Sequence, residues 1–110
     1  MRKLLVTLAL TVLFLPLLWL MPAQAADLGA GEAIFKANCA ACHMGGGNVV
    51  NGAKTLKQGD LEKWDMASVA AIKNQVINGK GAMPGFGAKF NAEQIENVAS
   101  YVLDQASKGW

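Results

Sequence analysis

The residues of this 110-residue chain best suited to chemistry stand together as Cys39-Ala40-Ala41-Cys42-His43. Two thiols three positions apart lie on one turn of chain, so both sulfurs can face one edge of a flat ligand. An imidazole directly after them can then be held beneath that ligand's centre. C-x-x-C-H in this order is the attachment pattern for c-type haem. Each thiol adds to one vinyl group of the porphyrin edge, and His43 becomes the proximal nitrogen ligand of the iron. Other chemistries fit the same residues less well. A C-x-x-C pair in an exported protein can close a disulfide or work as a dithiol redox site. A thioredoxin-like site belongs to a βαβ pattern, however, and no stretch here alternates with period two. Zinc would need four ligands, and residues 26–110 contain one His and two Cys.

A haem held by His43 raises the question of a sixth ligand. His43 is the only histidine, which excludes bis-histidine ligation. The soft donors beyond the leader are Met44, Met66 and Met83. Met44 adjoins the proximal ligand and is on the wrong side to cross the ring. Met66 precedes a helix cap and could equally fill core space. Met83 lies 40 residues after His43, far enough for the chain to wrap to the opposite face. It sits in Gly81-Ala82-Met83-Pro84-Gly85-Phe86, where Pro84 fixes φ and the glycines let the backbone approach closely. Met83 is therefore the expected distal ligand, with Met66 or an open iron position as the alternatives. A thioether favours ferrous iron and raises the reduction potential. With both axial positions filled, the iron cycles between two oxidation states and offers no coordination site to a substrate. That describes an electron carrier. An open position would instead suit a haem enzyme or a gas sensor.

Helices must position these groups. A first helix is expected from about 27 to 38, with Ala30, Ile34 and Phe35 inward. The glycine-punctuated stretch 44–59 reads as irregular loop. Asp60 is placed as the cap of a short helix reaching Trp64. Ser68 caps another that carries Val69, Ile72, Val76 and Ile77 and stops at Gly79. Asn91 and Gln94 form a capping box. The last helix then carries Ile95, Val98, Ala99, Val102 and Leu103 in an i, i+3, i+4, i+7, i+8 stripe. The fold class is small and all-α, with about four helices around one haem.

Composition agrees. Residues 1–25 hold 18 apolar residues behind Arg2 and Lys3 and end in Ala23-Gln24-Ala25. A positive start, an apolar stretch and an A-x-A site make a cleaved secretory signal peptide, with an uncleaved anchor as the alternative. Residues 26–110 form the functional domain. It has eight bases and eight acids, which leaves no basic stripe for nucleic acid. Its 40 apolar residues include 15 Ala, so few large side chains remain for a core. A domain of this size needs support, and a haem supplies it.

The chain resembles the class I c-type cytochromes, and among them the cytochrome c6 family of cyanobacteria and algae. The resemblance rests on Cys39 to His43 and the glycine-rich segment after it. It rests also on Ile77-Asn78-Gly79-Lys80-Gly81-Ala82-Met83-Pro84-Gly85-Phe86-Gly87, and on the ending from Val98 to Trp110. It implies first and last helices that cross through Gly31, Phe35, Ile95 and Tyr101. It implies a monomeric electron carrier, not an enzyme, released from the membrane after processing. The carrier takes electrons from cytochrome f of the cytochrome b6f complex to photosystem I in the thylakoid lumen. Donation to a terminal oxidase from the periplasm is the alternative circuit. Gln75 matches a family position that tunes the haem potential. Asn48, Lys54 and Lys57 are candidates to hold the propionates. Trp64 is expected to close the core, with packing on the haem as the alternative.

Overall fold

The computed structural model describes residues 25–110. The expected signal peptide, 1–25, lies outside the described residues apart from Ala25. Five α-helices follow in order: α1 (Leu28–Asn38), α2 (Ala40–His43), α3 (Gln58–Lys63), α4 (Val69–Asn78) and α5 (Ala92–Lys108). A 3₁₀ turn, Met44–Gly46, continues α2. No strand forms among the described residues, and an isolated bridge pairs Lys80 with Met83. The all-α expectation holds.

Local chemistry explains the helix ends. The Asp27 carboxylate accepts from the Ala30 N–H at 2.9 Å and starts α1. The Ser68 hydroxyl accepts from the Ala71 N–H at 3.1 Å and starts α4. Asn91 and Gln94 exchange two side chain–backbone bonds of 2.9 Å and start α5, as their spacing predicts. Gly79 ends α4 with φ +67°. A Cβ there would stand 2.4 Å from the Met83 carbonyl oxygen, so this turn admits only glycine.

Asp60 does not cap α3. Lys57 occupies the N-cap position, and α3 begins at Gln58. The Asp60 carboxylate turns back instead and accepts from both the N–H (3.1 Å) and the hydroxyl (2.5 Å) of Thr55. Bonds to the preceding loop, five residues back, have outcompeted the cap.

The core consists of Phe35 on α1, Ile72 and Val76 on α4, and Ile95, Val98, Ala99 and Val102 on α5. Each large side chain buried here contributes about 1.5–3 kcal/mol. Of the residues expected inward on α1, Ala30 and Ile34 are only half-buried. Gly31 takes that place because α5 comes very close. A Cβ on Gly31 would lie 2.1 Å from the Asn97 carbonyl oxygen and 2.9 Å from the Tyr101 Cβ. The rings of Phe35 and Tyr101 meet at 5.4 Å. Gly31, Phe35 and Tyr101 thus make the α1–α5 crossing. The Asn97 side chain pins it by accepting from the Asp27 N–H at 2.9 Å.

Candidate haem site

Between α1–α2 on one side and the 80–86 loop on the other lies a cavity of about 450 Å³. Cys39, Cys42, His43 and Met83 all line it, and Phe35, Ile72, Val76 and Val98 make its apolar floor. The volume falls within the roughly 300–1,000 Å³ of small-molecule and cofactor pockets. A largely apolar lining, with two thiols, one imidazole and the thioethers of Met66 and Met83, fits a haem.

Cys39 closes α1 and Cys42 lies within α2, so a single helical turn presents both sulfurs. The two thiols are not joined to each other. Burial holds the Cys39 thiol above its ordinary value, against a smaller opposing effect from Lys89. Among the described residues no group of three or more His, Cys, Asp or Glu gathers at a metal-binding distance.

The His43 ring is oriented from behind. Its Nδ1 lies 2.8 Å from the Gly47 carbonyl oxygen. A carbonyl only accepts, so the proton is on Nδ1 and Nε2 keeps its lone pair for a metal. Met83 sits in the bridge formed with Lys80, with N–H···O bonds of 3.0 Å in both directions. The Gln75 Nε2 donates to the Met83 Sδ at 3.7 Å, fixing the thioether from α4. Met66 lines the same cavity but receives no such bond. Met44 is 77% exposed and lies outside the lining.

The propionate candidates separate. Asn48 and Lys54 line the cavity, but Lys57 does not. The Asn48 side chain is committed to its own loop, donating to the Lys54 carbonyl and accepting from the Val50 and Asn51 N–H groups. The Lys54 ammonium lies 4.4 Å from the Trp64 ring centre.

Trp64 departs from expectation. It is 43% exposed, donates its indole N–H to the Ala53 carbonyl at 3.2 Å, and lines the cavity instead of closing the core. Trp110 packs against the core in its place, its ring tilted against Phe35 with centroids 5.3 Å apart. Asn97 and Trp110 carry the main contacts that the sequence pattern does not reveal. Their partners lie 70 and 54 positions away, beyond any local spacing.

Comparison with known proteins agrees with this geometry. A family model described as cytochrome c oxidase, cbb3-type, subunit III, matches residues 26–102. The chain is 54% identical over 110 residues to a cytochrome c6 of Gloeothece citriformis, covering all of both chains. It is 65% identical over 85 residues to the cytochrome c6 of Aphanizomenon flos-aquae, covering 77% of this chain and 98% of that one. The crystal structure of cytochrome c6 from the diatom Phaeodactylum tricornutum superposes with a TM-score of 0.75 at 49% identity, covering 77% of this chain and all of that one. At these identities and coverages the chain belongs to the cytochrome c6 family, whose members carry covalently attached haem c.

Proposed function

We propose that this carrier takes electrons from cytochrome f of the cytochrome b6f complex and delivers them to photosystem I. In this reading residues 1–25 are removed and residues 26–110 work in the thylakoid lumen. Cys39 and Cys42 would tether the haem as thioethers, and His43 and Met83 would fill the two axial positions. When bound, the haem supplies a one-electron couple between ferrous and ferric iron. The protein's own residues set the terms of that couple. His43 donates from Nδ1 to Gly47, which makes its free nitrogen more basic. Gln75 donates to the Met83 sulfur, which restrains it and draws electron density from it. The apolar floor keeps water from the site. Asn48 and Lys54, at the cavity, are the better placed of the propionate candidates, and Lys57 the worse.

The observation that carries this reading is the bond from Gln75 to the Met83 Sδ inside a cavity shared with Cys39, Cys42 and His43. A held thioether suits a closed iron and no open-site enzyme. Among the described residues no helix is long and apolar enough to cross a membrane. In this reading the carrier works as a monomer and meets its partners transiently, through an interface below ~1,200 Å².

A second circuit, donation from the periplasm to a respiratory terminal oxidase, finds support in the match to an oxidase subunit model. Purified reduced holoprotein added to flash-oxidised photosystem I separates the two. The proposal expects re-reduction at a rate that rises with carrier concentration. No re-reduction, together with rapid oxidation by a terminal oxidase, would overturn it.

A further inference from the structure

The C-terminal residue is tied to the loop that orients His43. The Trp110 Nε1–H donates to the Leu56 carbonyl at 2.9 Å. The Leu56 N–H donates to the Gly46 carbonyl at 2.8 Å. Gly46 lies directly against the Trp110 ring, for a Cβ there would stand 2.3 Å from two indole carbons. These three contacts close a circuit of Trp110, Leu56 and Gly46. The next residue is Gly47, whose carbonyl receives the His43 Nδ1–H. Gly46 holds φ +77°, a conformation open to glycine at little cost, so neither end of this short segment is fixed by its own side chains. The indole supplies the missing restraint. It is itself anchored by Phe35 at 5.3 Å and Tyr101 at 6.2 Å.

We infer that Trp110 is a positioning residue for the proximal imidazole: it clamps Gly46 and Leu56, and so fixes the carbonyl that accepts from His43. A metal-bound histidine gains basicity from such a bond, and basicity favours ferric iron. Slackening the clamp lengthens the Nδ1–H···O bond, which weakens His43 as a donor and shifts the reduction potential upward. The inference rests on the proposed ligation of iron by His43.

Paramagnetic NMR of ferric holoprotein tests the two separately. In the wild type, His43 ring signals without paramagnetic displacement would overturn the ligation itself. With ligation present, Trp110→Phe keeps a ring over Gly46 but loses the bond to Leu56. The expected result is a displaced His43 Nδ1–H resonance, its exchange with solvent faster by roughly two- to tenfold, the equilibrium factor of one neutral hydrogen bond. The potential should rise in the same variant. Ser68→Ala, which weakens the fold far from this loop, serves as control and should leave the resonance in place. A Trp110→Phe protein with wild-type resonance and potential would overturn the inference, even if less stable. Should that variant fail to fold, exchange in the wild type decides. The Trp110 Nε1–H and His43 Nδ1–H should open together, and a free Trp110 beside a protected His43 would contradict the clamp.

Discussion

Four side chains would carry the proposed chemistry, and they differ in how openly the sequence announces them. Cys39, Cys42 and His43 share one turn, so their geometry follows from their spacing. Met83 is legible through its Pro-Gly setting and its distance from His43. The Gln75 contact to its sulfur requires the structure, because an i, i+8 spacing need not bring two side chains together outside one helix. Met83→Ala should lower the reduction potential and open ferrous iron to carbon monoxide. An unchanged potential and visible spectrum would contradict distal ligation. Gln75→Leu keeps the thioether but removes the donor to it. Sulfur then donates more freely to ferric iron, and redox titration should show a lower potential with no gain in carbon monoxide binding. Asp60 gives a pH-dependent test. Its bonds to the Thr55 hydroxyl and N–H hold the carboxyl below its ordinary value. A depressed folded value means the stabilisation is complete above the unfolded range, near pH ~4, and is lost as pH falls through the folded value. Melting curves of Thr55→Val against wild type should therefore differ at pH 7 and converge in acid. A difference independent of pH would contradict the assignment.

At the scale of elements, the caps of α4 and α5 are readable because each is a contact within three residues. The start of α3 is not, because Asp60 prefers Thr55 to its own helix. Trp64 misleads for a related reason. A large aromatic is ordinarily a core residue, but here Lys54 and Lys63 cover its face and its N–H finds the Ala53 carbonyl. Close approach of helices is likewise invisible to local spacing, and only the family resemblance points to Gly31 as the crossing. Gly31 reads as a weak point of α1 in isolation, yet it is where α5 passes. Gly31→Ala should destabilise by roughly 1–3 kcal/mol through overpacking, measured by denaturant titration. Ser68→Ala should cost about 1 kcal/mol, the ordinary value of a lost N-cap. If Gly31→Ala instead stabilised the protein through better helix propensity, the crossing described here would be wrong.

The whole molecule is organised around a group that is not polypeptide. Seven buried residues from three helices form the core cluster, and the cavity opens against it. A domain of 85 residues with so few large apolar side chains is marginal without an added core. Cys39→Ser with Cys42→Ser should therefore yield no stable holoprotein, and the apo-chain should show little helical signal in far-UV circular dichroism. A natively helical apoprotein would show that the polypeptide suffices alone. Family, fold and cofactor all follow from the same compact set of residues.

Intact mass taken together with a reduced-minus-oxidised absorption spectrum of the protein purified from its native cell decides whether haem is covalently held. The expected result is a chain beginning at Ala26, heavier by one covalently bound haem, with the spectrum of low-spin iron carrying nitrogen and thioether ligands. A colourless protein of bare polypeptide mass, its two cysteines free or bridged, would contradict it.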